Sequence, residues 1–583
     1  MKNPLSARIC LIWLLLFGAP GILWAAPDDV PLPVPQHVLT LQIRDNASRP
    51  LEARVSVRES HGAFLPPADP SIPFHRSYIK KSFFYADGEV DVLVPAGSVR
   101  VVVSRGPEYS VFDQTIQVER SQNLSVTLRR VLNPNGYGFW SGDTHTHIAH
   151  GGYGDVFKIT PEDLALVQRA EGVNVVCALS NGLHFNGGLD PASRPDYLLH
   201  FGVEYRSALY GHMGLLGLSN LVPFGCCLPG DPAVPTNKLI CDLARAQNAI
   251  VVSAHPVSAN PNALSNTSAA WPWSGMAREL PANVLAGRID AFDLFSYSNV
   301  DQKVARDLWF DLLNLGKPLP LSVGTDASVN RVFDPPLGGY RVYVNTGGPL
   351  DFRAWLDGLK AGRSFATNGP LITQFLIAGV YTPGDTWRRT QKVSVAGQIR
   401  ILTRDPVNRL ELYAGGTLLG SYTLPATTGV VDYTFNVNPP LGSLWLVARV
   451  TGPTQNDATV GNTLEAITSP IYIKDTEVPV PRQTSQTRFD LWLTELQDIV
   501  RARTGWSQPD QMPQVVGELE DARLLLFGKR TPDPDRDLPL ETTTETDAPR
   551  VSRATLRVIS RSAEGIHLQL EGAGSAAPSV SAL

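Results

Sequence analysis

Cysteine is scarce in this chain, with five in 583 residues, too few for a disulfide scaffold to stand in for a hydrophobic core. A basic stripe is also missing. The 50 Lys and Arg against 55 Asp and Glu leave a net charge of −5, so the electrostatic footprint of a nucleic-acid partner is absent. Long apolar runs are lacking apart from one near the N-terminus, which excludes a multi-pass membrane protein. The signature of a wholly disordered chain is absent too, because 43% of the residues are hydrophobic and only 18% charged, enough apolar material for real cores. What the chain does hold is a concentration of histidine. Seven of its 11 histidines (His145, His147, His150, His184, His200, His212 and His255) fall within 111 residues, where even spacing would put about two.

The first residues carry Lys2 and Arg8, an apolar run from Leu11 to Phe17, a break at Gly18 and Pro20, and then Ala25-Ala26. Basic, apolar and small-residue regions in that order predict a signal peptide over 1–26, cleaved after Ala25 or Ala26. The apolar run is short for a span, so an uncleaved anchor is the weaker alternative. The expected product is exported, periplasmic or secreted, with no stable membrane span after cleavage. Cys10 leaves with the signal. Cys226 and Cys227 precede Cys241 closely enough for one bridge, no CxxC zinc pattern occurs, and Cys177 in VNVVCALS reads as core.

A Pro-rich linker (27–37) leads into residues 38–130, where apolar and polar residues alternate with period two, as in Val90, Val92 and Val94 and again in Val99, Val101 and Val103. Short strands with turns between them predict an N-terminal β-sandwich. From 131 to 370 strand-like runs alternate with helical stretches: ITPEDLALVQRAEG before VNVVCALS, TNKLICDLARAQN before AIVVSAH, VDQKVARDLWFDLLNLG before PLPLSVGTD. Thr160 offers an N-cap with Pro161 at the first helical position. Repeated βα units predict a parallel α/β sheet or barrel. Residues 371–475 return to short strands and predict a second, C-terminal β-sandwich. Phe489, Trp492, Leu493, Leu496 and Val500 mark one face of a helix closed at Gly505, and a second helix from about Pro513 to Phe527 would complete a helical hairpin over 484–528. The tail, 529–583, reads as mostly disordered, with alternation near 554–571 that suits a hairpin.

Chemistry in parallel barrels lies at the C-terminal ends of the strands. Four apolar runs end there in metal-ligand residues: GFWSGDTHTH in His145 and His147, HFGVE in Glu204, AIVVSAH in His255, and PLSVGTD in Asp326. His-x-His puts both imidazoles on one face of an extended strand, where both reach one ion. Imidazole with carboxylate suits Zn²⁺, Mn²⁺ or Fe²⁺. His212, in YGHMGLLGL, is either a further ligand or an ordinary strand histidine. His150, His184 and His200 read as pocket or surface residues.

Taken as an ordered set, SGDTHTH, VEYRSALYGHMGLLGL, SAHP, VGTDAS and LKAGRSFATNGPL resemble the carbaryl-hydrolase (CehA/McbA) branch of the PHP (polymerase and histidinol phosphatase) metallohydrolases. The resemblance covers residues 135–375, and DGEVDVLVPAGSVRVVVSRGPEY and ITSPIYI resemble the sandwiches attached in that branch. It implies a distorted (βα)7 barrel of PHP type between the two sandwiches. Residue by residue, it implies a first metal site at His145, His147, Glu204 and Asp326, with Glu204 bridging to a second at His212 and His255. The family's Asp-His pair after the second strand is Leu179-Ser180-Asn181 here, and its closing Asp-x-His is Asp326-Ala327-Ser328. Both missing histidines belong to the family's third metal position, which implies two ions per chain rather than three.

The resulting expectation is an exported hydrolase in which a metal-activated water cleaves an ester, carbamate or phosphoester bond of a small-molecule substrate. Asp326 or His184 would shuttle the proton. Arg206, beside Glu204, and Arg341, after Gly338-Gly339, are candidates for holding an anionic substrate, each with a salt bridge as its plain alternative. The rival expectation is a secreted binding protein whose barrel keeps a residual metal site and has lost turnover.

Overall fold

The computed structural model describes residues 37–76, 81–150, 155–180, 182–223, 233–258, 274–389, 394–440, 442, 444–454, 456–474 and 483–529, with three short strands beyond residue 554. The expected signal, nearly all of the Pro-rich linker, Asn181, Cys226 and Cys227 lie outside the described residues. The chain divides into two units, residues 1–532 and 533–583. The architecture is mixed α/β, with large sheets and, among the described residues, seven α-helices. None of those helices is long and apolar enough to cross a membrane.

Residues 37–127 form an eight-stranded sheet in which Glu52–Glu59 lies between Gly97–Ser104 and Phe83–Asp87, and His37–Arg44 lies between Glu89–Val94 and Gln122–Thr127. Period-two alternation explains its core. In Glu89–Val94, Val90, Val92 and Val94 are buried while Glu89, Asp91 and Leu93 face out, and they meet Leu39, Leu41, Val55 and Val101 in one cluster. Gly88 turns the chain at φ +78°, and a Cβ there would come within 2.7 Å of Pro50 Cβ. Only glycine meets both demands.

The site rests on the next run of strands. In spatial order these are Phe139–His147, Val175–Leu179, Leu198–Ser207, Gly211–Leu216, Ile250–Ser253, Ala291–Phe295 and Leu321–Val323. All pair in parallel except Gly211–Leu216, which is antiparallel to both neighbours. Beyond Val323 the chain continues through Asp326 into Ala327–Ser328, which pairs in parallel with Thr146 and His147 of the first strand. The two ends of the run therefore meet. The helices between the strands begin at side-chain caps, of which Thr160 is the one read from the sequence. Thr160 accepts a bond from Asp163 N at 3.2 Å while Asp163 accepts from Thr160 N at 2.8 Å, a full capping box ahead of Pro161–Ala170. Thr236 caps Asn237–Arg245 by accepting from Leu239 N, and Asp301 caps Gln302–Leu313 by accepting from Lys303 N and Val304 N.

The strands after residue 340 are not cut off from this run. Arg341–Asn345 pairs with Phe139–His147 on one side and Ser364–Thr367 on the other, and Ser364–Thr367 pairs with Thr463–Thr468, so one 16-stranded sheet continues into the C-terminal strands. A separate three-stranded sheet (Leu371–Ile377, Val395–Thr403, Gly429–Val437) shares a core with those outer strands through Phe375, Ile401 and Phe435 against Leu410, Leu446 and Val450. The expected helical hairpin forms as Gln483–Ala502 and Gln511–Leu526. Phe489, Trp492, Leu493, Leu496 and Val500 are buried, and Trp492 Nε1 donates to Arg278 O at 2.9 Å. Cys177 is buried and free as expected. Cys241 is free as well, its thiol 3.4 Å from Met213 Sδ in the core, so the bridge expected of it is not formed. In the second unit, Thr555–Ser562, Gly565–Glu571 and Val580–Ala582 form a small antiparallel sheet, so the alternation near 554–571 pairs as a hairpin inside a stretch expected to be mostly disordered.

Candidate metal centre

The C-terminal end of Phe139–His147 presents His145 and His147, two residues apart, on one face of the strand, while an irregularity in its pairing between Asp143 and Thr146 leaves Asp143 on the other. The neighbouring strands bring Glu204, near the end of Leu198–Ser207, and His255, just past Ile250–Ser253. Because Gly211–Leu216 runs the other way, its beginning lies at this same end and carries His212 there. Asp326 arrives on the turn that joins the last strand to the first, where Asp326 N donates to His145 O at 2.7 Å. Asp326 (φ +62°) and His255 (φ +27°) occupy a backbone region that L-residues rarely adopt. Such strain costs about 1–3 kcal/mol per residue and persists where the surrounding structure enforces it.

These side chains converge in two sets. In the first, His145 Nε2 and His147 Nε2 are 3.1 Å apart. Asp326 Oδ1 is 2.9 Å from His147 Nε2 and 3.4 Å from His145 Nε2, and Glu204 Oε2 is 3.4 Å from each. Four N/O ligands at about 2.0–2.1 Å around a tetrahedral ion are separated by edges of about 3.3 Å. All five of these separations lie close to that edge, so the donor set fits one small divalent ion. In the second set, Glu204 Oε1 is 2.9 Å from His212 Nδ1 and 3.1 Å from His255 Nε2. Glu204 thus turns one oxygen to each set, and Asp326 Oδ2 lies 3.9 Å from His255 Nε2 on the second side. Both groups have the composition and spacing to hold a metal ion.

Burial sets the electrostatics. His145, His147, Glu204 and His255 are all at most 4% exposed. Desolvation alone would raise the Glu204 and Asp326 carboxyls, but the facing His145, with Arg206 beside Glu204 and His147 and His255 beside Asp326, holds both well below the ordinary carboxylate range. Burial works against a charged His145 as well, yet the two carboxylates outweigh it and push that imidazole up to about 9. His212, where burial wins, falls to about 4. The two carboxylates and the His147 and His212 imidazoles are therefore in the states that bind a cation, whereas His145 gives up a proton to do so.

Residues around the sets fix their orientation. The Ser298 hydroxyl donates to Asp326 Oδ2. Arg206 Nε donates to Glu204 Oε2 at 2.5 Å, and its Nη2 lies 3.5 Å from both His147 Nε2 and His150 Nε2. With its side chain 18% exposed, Arg206 stands at the mouth of the site, a position from which a guanidinium can hold an anionic ligand. The Nδ1 atoms of His145 and His255 have no hydrogen-bond partner among the described residues, so packing and the contacts of their Nε2 atoms set those rings.

Other candidates sit elsewhere. Arg341 is buried and its guanidinium donates to the carbonyls of Gly338, Glu171 and Gly172 at 2.7, 3.0 and 3.3 Å. It ties loops together, so the expected substrate contact is corrected to a structural one. His184 is exposed at φ +59° with its ring against Phe201, 5.3 Å between centroids, outside both ligand sets. His200 is buried and stacked on Phe352 at 4.9 Å. Ser328, where the resemblance led to the expectation of a histidine, is buried and its N donates to Asp334 Oδ2 at 2.9 Å.

Three residues escaped the reading by strand ends. Asp143 accepts from Thr325 Oγ1 and N at 2.6 and 3.0 Å and from Gly338 N at 2.9 Å. Burial lifts its carboxyl to about 6 against those bonds. Asp293 lies 3.2 Å from Thr144 Oγ1, and burial, opposed by His145, lifts it to about 7. Gly324 packs so closely that a Cβ would fall 2.4 Å from His145 Cβ and 2.5 Å from Asp293 Oδ2. The signals were present: an acid two residues before the His-x-His, an acid inside the apolar strand AFDLF, and a glycine two residues before a ligand. No protein-family model matches this sequence, and no curated protein does.

Proposed function

We propose that this chain is an exported, metal-dependent hydrolase of PHP type, similar to the carbaryl-hydrolase (CehA/McbA) branch, that cleaves an ester, carbamate or phosphoester bond. The observation that carries the reading is Glu204, with Oε2 among His145, His147 and Asp326 and Oε1 between His212 and His255. A carboxylate shared in this way is the donor arrangement for two neighbouring divalent ions. The seven-strand run whose ends meet at Ser328 and His147 supports a closed barrel, and the flanking sheets support the attached sandwiches.

His145, His147, Glu204 and Asp326 would hold one divalent ion and Glu204, His212 and His255 a second, which would supply the Lewis acidity that lowers the pKa of a water and polarises the scissile bond. The protein's own residues do the rest. Ser298 holds Asp326 so that Oδ1 stays toward His147, and Asp326 would be the carboxylate that takes a proton from the attacking water. Arg206 reaches the mouth and holds the negative charge that develops on the substrate. Removing His184 has little direct effect in this arrangement, since it stands outside both sets. Zn²⁺, Mn²⁺ and Fe²⁺ all suit these donors.

The test is a metal count by mass spectrometry on protein purified without chelator, alongside turnover of p-nitrophenyl esters and phosphates. About two ions per chain with chelator-sensitive turnover supports the proposal. Protein without metal, together with a His145→Ala variant of unchanged melting temperature, sinks it. A binding protein with a residual metal site is the second reading. It is favoured by Arg206, a fixed cation bonded to the same Glu204 oxygen that the first ion would use, and by the serine at 328. Tightly held metal with no turnover across the panel would select it.

A further inference from the structure

A second cavity, of about 260 Å³, opens beside the start of the strand Phe139–His147, at the end opposite the ligands. Six residues of strand separate Phe139 from His145, about 20 Å at the rise of an extended chain. The cavity is therefore separate from the metal centre, and nothing in the proposed hydrolysis uses it. Its space exceeds the cavity of about 150 Å³ that accepts one benzene in a protein core.

The lining is amphipathic. Tyr137, Phe139, Phe365 and Phe375 supply rings, and Arg363 and Thr373 supply polar groups. Thr373 sits where the pairing of Leu371–Ile377 with Val395–Thr403 slips, between the pairs Ile372↔Ile401 and Gln374↔Arg400. It is 7% exposed and its hydroxyl has no hydrogen-bond partner. An unmet buried hydroxyl costs stability, and a break in strand register is a device that re-aims a side chain. Both point to a ligand atom as the missing partner.

The two arginines on the wall differ. Arg400 is committed, donating to both Asp432 oxygens at 2.7 and 3.1 Å. Arg363 donates only from Nε, to Asn345 O at 3.2 Å, and its terminal nitrogens have no partner among the described residues. One uncommitted guanidinium beside aromatic rings recognises one negative charge on a flat apolar body. We propose that this cavity binds a small aromatic monocarboxylate, with the ring among Phe139, Phe365 and Phe375, the carboxylate on Arg363, and a further polar atom of the ligand on Thr373. The inference stands independently of the metal chemistry.

The experiment is calorimetric titration of the full chain with 4-hydroxybenzoate, repeated with 4-hydroxybenzyl alcohol and with Arg363→Gln, Thr373→Val and His145→Ala variants. One saturable site is expected, weakened about tenfold both by Arg363→Gln and by the neutral alcohol, because each removes the charged pair. His145→Ala should bind as wild type. Thr373→Val should bind several-fold more weakly while melting no lower than wild type, since a methyl removes the unmet hydroxyl at constant volume. A purely structural Thr373 would lower melting and leave binding alone. Three outcomes overturn the proposal: no saturation up to about 10 mM, where even an inefficient ligand of this size is detectable; unchanged binding by both Arg363→Gln and Thr373→Val; or binding lost in His145→Ala and kept in Arg363→Gln.

Discussion

Gly324→Ala is the sharpest test of how the candidate centre is built. The added Cβ would stand 2.4 Å from His145 Cβ, 2.5 Å from Asp293 Oδ2 and 3.1 Å from Asp293 Cγ, where carbon contacts normally begin near 3.5 Å. Two routes could relieve the overlap, and both are obstructed. Moving the turn away from the first strand breaks Asp326 N to His145 O at 2.7 Å and the Thr325 bonds to Asp143 at 2.6 and 3.0 Å. Swinging Asp293 aside disturbs a buried carboxyl held next to Thr144. Overpacking of this kind costs about 1–3 kcal/mol, reduced by the ~0.4–1 kcal/mol that Gly→Ala returns through the unfolded chain. The His145 ring is the group that must shift. Displacing a ligand by a fraction of an ångström should weaken metal binding about 10–100-fold, the range seen when a ligand's support is lost. The assays are urea unfolding of metal-free protein and competition with a chromophoric chelator. Gly348→Ala is the control, since nothing lies within 4 Å of its added carbon, and it should stay within about 0.5 kcal/mol of wild type. A Gly324→Ala protein with wild-type midpoint and wild-type metal affinity would refute the packing argument and, with it, the reason for a glycine before Thr325-Asp326.

Glu204→Gln should reduce the metal content from two ions to one, because the His212–His255 set has no other carboxylate oxygen nearer than 3.9 Å while the first set keeps Asp326; two ions retained by mass spectrometry would remove Glu204 from its bridging role. Trp492→Ala should cost about 3–5 kcal/mol in urea unfolding, since the ring is 1% exposed and its Nε1 bonds Arg278 O; a loss below about 1 kcal/mol would mean that the hairpin contributes little to the unit. Glu279, which accepts from Asn237 N and Lys238 N at 2.8 and 3.0 Å, is lifted by burial and by Glu518 from 4.5 to about 8. The folded chain then keeps a proton that the unfolded chain releases, so this contribution is full below pH 4.5 and is lost as pH rises toward about 8. Glu279→Gln should flatten the fall of stability across that window, and an unchanged slope would contradict the assignment.

Much of the fold was legible because its signals are local. Period-two alternation marks Val90, Val92 and Val94 whatever they pair with, and Thr160 caps its helix through a residue three positions away. The candidate ligands were legible for a related reason: few residue types bind a divalent ion, and a strand's alternation aims His145 and His147 together. His212 could not be settled that way. Its placement depends on Gly211–Leu216 running antiparallel, a fact of pairing that periodicity does not carry. Arg341 failed for the same reason in reverse, because proximity in sequence to Gly338-Gly339 says nothing of the Glu171 and Gly172 carbonyls that take up its guanidinium. The C-terminal strands read as a separate unit by composition, yet Ser364–Thr367 hydrogen-bonds them into the central sheet. Spacing reveals strands; partners come only with the third dimension.

Closure of the central sheet and assembly of the ligand set are one event. Asp143 binds the Thr325 turn and Gly338, Asp326 N binds His145 O, and Ser328 pairs with His147. The contacts at Thr325, Asp326 and Ser328 join the first strand to the segment that follows the last, and each lies within two residues of a candidate ligand. The left-handed backbone at Asp326 is held by the same bonds. A cation that draws His145, His147 and Asp326 together therefore also draws the two ends of the sheet together, so binding should add to folding stability by more than neutralising two carboxylates. Conversely, a substitution that loosens the closure at Asp143, which belongs to neither ligand set, should weaken metal affinity and stability together. A substitution at Arg206 breaks none of these closure contacts, only the bond to Glu204 Oε2, and should lower stability less than one at Asp143. That contrast separates residues that build the centre from residues that use it.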